Sequence, residues 1–215
     1  MAKTVKAQKP TRRERAAATR VRMIRAAIEV FTEAGYVGAR MSDIADRADV
    51  AVQTVYFTFH TKAELLQACY ELAVLGEDDP RPPPAQPWYA AMLDARDGRA
   101  AIRRFAEGNS AIAARVAQLD DVVRSAAHEP DAARVRAHNE QLRRDGYRRI
   151  VGHLAGRFGL PAHLDPEDAV DILLTLAGPA TYRALVADYG WPHDRFVDWL
   201  ATTLSQQLLA PRTKP

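Results

Sequence analysis

Cysteine is nearly missing from this chain. Cys69 is the single one in 215 residues, so no internal disulfide can form, and the sequence suits a reducing compartment. Long apolar runs are missing too: no uninterrupted stretch approaches the roughly 18 residues of a membrane span. The basic start MAKTVKAQKPTRRER is not followed by the apolar region of a secretory signal. A soluble, cytoplasmic protein without a membrane partner is the expectation. Paired Cys/His spacing, an HExxH run and a glycine-rich phosphate loop are also absent, so no metal or other cofactor is expected. His163, Asp165, Glu167 and Asp168 crowd together, but they stand at a predicted helix start, where acidic groups suit the dipole. An enzyme is therefore not expected.

What the chain does hold is charge, unevenly placed. The formal net charge is only +3. Residues 1–25 nevertheless carry nine Lys/Arg (Lys3, Lys6, Lys9, Arg12, Arg13, Arg15, Arg20, Arg22, Arg25) against Glu14 alone. Residues 76–215 balance eighteen basic against nineteen acidic groups. A basic arm on a balanced body suits a polyanionic partner, or it is a solubilising tail. It lacks an amphipathic aromatic face, which argues against a membrane surface.

Apolar residues make up 47% of the chain, enough to bury a core, and they recur at helical spacing. From Thr19, Val21, Ile24, Ile28 and Phe31 mark a helix that ends at Gly35. A short helix fits Ser42 to Ala48, and another fits Val52 to Phe59. A fourth opens on the capping box Thr61-Lys62-Ala63-Glu64. Five prolines within Gly76–Pro87 exclude regular helix there and mark a stiff linker or loop. Helical patterns follow over about 98–117, 119–128, 131–158, 166–188 and 193–209, and the chain reads as all-α.

Three short helices in about 40 residues suggest a helix-turn-helix. In the third, Val55 and Phe59 lie four apart on one face, with Val52 near the same stripe. The other face presents Gln53, Thr54, Phe57 and Thr58, with Tyr56 at the side. Gln can pair with a base edge, and Thr and aromatic rings can meet phosphates, sugars or thymine methyls. Phe57 either tucks into the core or waits for a partner.

These residues carry a resemblance. Ile24, Ala27 and Phe31 followed by Gly35-Tyr36, then Asp43-Ile44-Ala45, Ala48, Val50, Thr54-Val55-Tyr56-Phe57, Phe59, Thr61-Lys62 and Glu64-Leu65-Leu66 make up the set. Through them, residues 20–66 closely resemble the DNA-binding domain of the TetR (tetracycline-repressor-type) family of bacterial transcription regulators. The resemblance implies a homodimer that sets one recognition helix per subunit into the major groove of a near-palindromic double-stranded DNA operator. Val52, Gln53, Thr54, Tyr56, Phe57 and Thr58 would face DNA, with Ser42 and Lys62 on phosphates. Arg20 and Arg22 would hold the backbone or reach into the minor groove. Three positions depart from the family pattern. Asp49 replaces a turn glycine, Ala51 replaces a capping serine, and Arg40 replaces a threonine, trading a cap for a charge that can reach phosphate.

The implied scheme is all-α: a flexible basic arm (1–18), a three-helix helix-turn-helix domain with its connecting helix (19–75), a Pro-rich linker or loop (76–87) and a larger helical ligand-binding and dimerisation domain (88–215). Candidate contacts to a small, mostly hydrophobic ligand are Trp88, Met92, Phe105, Asn109, Ile112, Arg115, His128, Tyr147 and Tyr182, each of which also reads as core or surface. Leu173, Leu176, Ala180, Ala184, Phe196, Trp199, Leu200, Thr203 and Leu204 are candidates for the dimer face, and equally for intramolecular core. Gly178-Pro179 should kink the 166–188 helix. The expected function is a homodimeric transcriptional regulator, a repressor released from its operator by that ligand. A ligand-independent or architectural DNA-binding protein is the alternative.

Overall fold

The structure, a computed structural model, describes residues 11–77 and 80–210. Lys3, Lys6 and Lys9 of the basic arm lie outside the described residues. All regular elements among the described residues are helical. The chain divides into two compact units, one ending at Cys69 and one beginning at Tyr70.

The first unit holds α1 (Arg12–Gly38), α2 (Met41–Arg47), α3 (Val52–Phe59) and the first turns of α4 (Lys62–Leu75). α1 starts at Arg12, seven residues before Thr19 and inside the stretch expected to be a flexible arm. A capping box explains the early start. Glu14 N–H donates to Thr11 Oγ1 at 3.2 Å, and Thr11 N–H donates to Glu14 Oε2 at 2.6 Å, which satisfies two donors that a helix start leaves open. Apolar periodicity cannot report this turn, because its residues are arginine, glutamate and alanine. Met23, Ile24, Ala27, Val30 and Phe31 form the buried stripe of α1, joined in the core by Ile44, Ala45, Val55, Phe59, Leu65 and Leu66. The regular helix breaks at Gly35, as expected. There φ is 68° and ψ is 174°, a left-handed φ that glycine adopts without a side-chain clash. The Cys69 thiol donates to Ile24 O at 3.7 Å, and burial pushes its pKa far above the ordinary range, which leaves it inert.

The second unit continues α4 and adds α5 (Pro87–Leu93), α6 (Gly98–Ser125), α7 (Pro130–Phe158), α8 (Pro166–Leu176), α9 (Pro179–Tyr182) and α10 (His193–Leu208). α5 falls where no helix was expected. Pro87 takes its first turn, where a missing N–H costs nothing, and seven residues are too few to display a period. α6 is one continuous helix through residue 118, where a break was expected. The 166–188 helix breaks at Gly178-Pro179, because Pro179 has no N–H to continue the ladder and Gly178 is extended (ψ 158°). A π-helical turn over Arg183–Asp188 follows. Over its length this segment is apolar enough to pass for a membrane span. Leu173, Ala177 and Tyr182 instead place that apolarity in the core of the second unit.

α10 packs along α6, and this corrects the dimer face. Leu173, Phe196, Leu200 and Leu204 are fully buried within the protomer. A side chain consumed by its own core offers no surface to a second copy. Leu176, Ala180, Ala184, Trp199 and Thr203 keep partial exposure.

Candidate nucleic-acid interface and the core of the body

α3 divides sharply into two faces. Val55 and Phe59 are buried at 0% and 3% exposure, whereas Tyr56 stands 50% and Phe57 84% exposed. Phe57 therefore does not tuck into the core. Gln53 is exposed beside it, and Val52, Thr54 and Thr58 are half-buried. The Thr58 hydroxyl donates to Thr54 O at 2.8 Å, which fixes its rotamer.

α3 begins without a side-chain cap. Ala51 sits at the N-cap and makes no cap hydrogen bond; Arg40 does the same at the start of α2. Asp49, in the turn between α2 and α3, has φ 52°, the left-handed conformation that a glycine would take at less cost. His60, just after α3, also has φ 52°. Asp49 is accompanied by positive charge: a shallow cleft is lined by Arg22, Arg25, Ala26, Glu29, Arg47, Ala48 and Asp49. Arg47 is engaged there, donating to Glu33 Oε1 at 2.7 Å, and that bond holds the Glu33 carboxyl below the usual carboxylate range.

Lys62 is placed differently from expectation. Its ammonium donates to the carbonyls of Tyr36 (2.7 Å), Ala39 (3.2 Å) and Val37 (3.4 Å), and lies 4.5 Å from the centroid of the Tyr36 ring. It ties the start of α4 to the carbonyls exposed where α1 breaks at Gly35, so its charge is committed to the protein and leaves the phosphate set. Arg20 lies over the Phe59 ring at 5.2 Å and remains exposed; Arg22 and Arg40 are exposed as well. Ser42 Oγ donates to Asp43 at 3.1 Å. Arg12, Arg13 and Arg15, left in the arm by sequence reasoning, are exposed on the first turns of α1. The T-x-x-E pattern at Thr11–Glu14 was the signal that could have placed them on a helix.

In the second unit some of the ligand candidates converge and others do not. Phe105 is buried between Trp88 (centroids 6.3 Å) and Tyr147 (5.7 Å), both edge-on, with Met92 in the same core. Tyr147 OH donates to Asn109 Oδ1 at 2.9 Å, and Asn109 Nδ2 donates to Ala177 O at 2.8 Å. Burial pushes the Tyr147 phenol up to about 12. This network fastens α6 and α7 to the last carbonyl before the Gly178 break. Trp88 lies flat against Gly108, where a methyl group would meet its Cγ and Cδ2 at 2.1 Å. Tyr182 is buried nearby, its OH 2.9 Å from His193 Nδ1, and Ile112 is half-buried. Arg115 points elsewhere, donating to Ala73 O at 2.7 Å and Val74 O at 3.3 Å at the end of α4. His128 is exposed beside Glu129 and falls outside the group.

Residues 23–69 match the family described as bacterial regulatory proteins, tetR family. No curated protein matches the chain. Solved structures do. FadR, a fatty acid degradation regulator from Bacillus halodurans, is similar with a TM-score of 0.69 at 16% identity, over 92% of this chain and 96% of that one. NalD, the secondary repressor of the MexAB-OprM multidrug efflux pump in Pseudomonas aeruginosa, gives 0.69 at 19% identity, over 93% and 100%. FadR from Bacillus subtilis in complex with stearoyl-CoA gives 0.65 at 16% identity, over 86% and 96%. At these identities the likeness is one of fold, and it runs through both units. The family match thus covers the N-terminal domain, residues 23–69, and the rest of the chain shares the all-α fold of these solved regulators.

Proposed function

We propose that this protein is a homodimeric, sequence-specific transcriptional repressor that a small, mostly hydrophobic ligand releases from a near-palindromic operator. The observation that carries the DNA-binding part is the exposed face of α3. An aromatic ring 84% exposed on an eight-residue helix gains nothing from folding, and with Gln53 and Tyr56 it forms a surface suited to base edges and thymine methyls. Arg20, Arg22, Arg40 and Ser42 supply the phosphate contacts. Leu176, Ala180, Ala184, Trp199 and Thr203 form the dimer face. Ligand contacts come from Trp88, Met92, Phe105, Asn109 and Tyr147, and ligand favours a body conformation that separates the two recognition helices beyond operator spacing.

Selection of the purified protein on random-sequence DNA tests the reading. An enriched inverted repeat supports it. Uniform, salt-sensitive binding without enrichment would replace it with an architectural DNA-binding protein. On the selected site, Phe57→Ala is expected to weaken binding by at least tenfold while leaving the melting temperature unchanged. Arg40→Ala should weaken binding to all sequences alike and flatten the salt slope by about one unit.

A further inference from the structure

α3 carries no charge. Its residues, Val52-Gln53-Thr54-Val55-Tyr56-Phe57-Thr58-Phe59, include no Arg, Lys, Asp or Glu. With about 3.6 residues per turn, Gln53 and Phe57 share one stripe, opposite the buried Val55 and Phe59. Tyr56 and Thr54 stand on either side of that stripe, and the Thr58 hydroxyl is spent on Thr54 O. Charge lies outside the helix. Arg20, Arg22 and Arg40 are exposed on α1 and just before α2, and the Lys62 ammonium is held by the carbonyls of Tyr36, Val37 and Ala39. His60 stands past the last turn, where a left-handed φ of 52° ends the helix.

Each base shows the major groove its own pattern. Guanine offers two acceptors, met best by the fork of an arginine or by a lysine, and α3 has neither. Cytosine offers a donor, met by a carboxylate, and α3 has none. Adenine sets an acceptor beside a donor. A primary amide matches both at once, and Gln53 is the amide of this face. Thymine adds a C5 methyl, and Phe57, 84% exposed, is the apolar side chain placed to meet it. The hydroxyls of Thr54 and Tyr56 both donate and accept, so they select no base alone. Gln53 and Phe57 are about 6 Å apart along the helix axis, short of the roughly 6.8 Å of two base-pair steps.

Resting on the DNA-binding function proposed above, we infer that the half-site read by α3 is built on A·T pairs. An adenine pairs with the Gln53 amide, and within two steps of it the methyl of a thymine packs on the Phe57 ring. The arginines outside α3 hold phosphates and add affinity without choosing bases. Affinity and choice of sequence therefore rest on different side chains.

Random-sequence selection with the full chain, followed by binding to modified duplexes, tests this. The expected result is an inverted repeat whose most constrained half-site positions are adenine and thymine. An inverted repeat constrained at G·C pairs instead would overturn the inference and leave the DNA-binding reading standing; no enriched repeat would remove both. On the selected site, each thymine of one half-site is replaced in turn by deoxyuridine, which removes only the methyl. One replacement should weaken the parent protein about fourfold, the worth of one buried methyl. The same replacement should leave Phe57→Ala unaffected. No loss at any thymine, or an equal loss in both proteins, would overturn the role of Phe57. Gln53→Arg supplies the fork that guanine needs, and selection with it should exchange adenine for guanine at one position per half-site. An unchanged selected sequence would overturn the role of Gln53. Both side chains are exposed, so each variant should melt as the parent does.

Discussion

Replacing Lys62 with methionine separates two roles that the sequence assigns to the same residue. Methionine keeps the length and apolar stem and removes the ammonium. Two of the three carbonyl contacts, at 2.7 and 3.2 Å, have good hydrogen-bond distances, and the third, at 3.4 Å, is weak. Hydrogen bonds from charged donors contribute roughly 1.5–3 kcal/mol each. Lys62 is only half-buried, so water can replace part of what is lost, and about 2 kcal/mol for the set is a fair total. The Tyr36 ring adds about 0.5–1 kcal/mol. The expected local destabilisation is therefore about 2–3 kcal/mol, which corresponds to a roughly 30- to 150-fold increase in opening of the α1–α2 junction. All three tryptophans lie in the second unit, so their fluorescence is a poor reporter of this event. Hydrogen exchange of the backbone around Tyr36 to Ile44 reads it directly. The salt slope of DNA binding should stay as in the parent protein. Unchanged exchange together with a slope lowered by about one unit would refute the clamp and return Lys62 to the phosphates.

Three further substitutions probe the packing and titration of the two units. Ala51→Ser gives α3 the hydroxyl cap it lacks and should stabilise the first unit by about 1 kcal/mol, read as slower hydrogen exchange across α3; no change would mean that the N–H groups are already satisfied. Gly108→Ala drives a methyl into the root of the Trp88 indole and is expected to cost about 1–3 kcal/mol, with altered tryptophan fluorescence; a protein as stable as the parent would show that the indole has room to move. Asp120 has a native pKa raised by burial, so the folded protein holds its proton more tightly than the unfolded chain does. Stability should then fall as pH rises from the ordinary carboxylate pKa through the raised one. Asp120→Asn should remove that fall, and an identical pH profile for the two proteins would exclude Asp120 as its source.

What the sequence made legible follows from which forces leave a periodic trace. The bounds of α3 match because Val55 and Phe59 repeat at one helical turn between turn residues. The α8–α9 break was visible because proline lacks a donor wherever it stands. Burial partners were not legible. Leu173, Phe196, Leu200 and Leu204 form an apolar stripe in any reading, and only the packing of α10 on α6 decides that they face inward. Lys62 misled for a related reason. A lysine at a helix start beside a recognition helix suits phosphate equally well, and what holds it is a set of main-chain carbonyls 23 to 26 residues earlier. Main-chain acceptors carry no sequence signal.

The proposed recognition helix, α3, shows the same division. α3 has eight residues, a left-handed residue on either side, and no side-chain cap at its N-terminus. Isolated helices of that length are unstable in water. Its conformation therefore comes from outside it: from Val55 and Phe59 in the core, and from the Lys62 clamp on the turn that α1 and α2 share. The outward residues contribute almost nothing to this support, so Gln53, Tyr56 and Phe57 are available for selection by a partner without cost to the fold. Under the proposed function, a helix supported from one face and specified from the other can change its DNA preference while the scaffold stays intact. Stability and specificity in this unit should consequently respond to different substitutions: those at Val55, Phe59 or Lys62 should move exchange rates, and those at Gln53 or Phe57 should move the selected sequence.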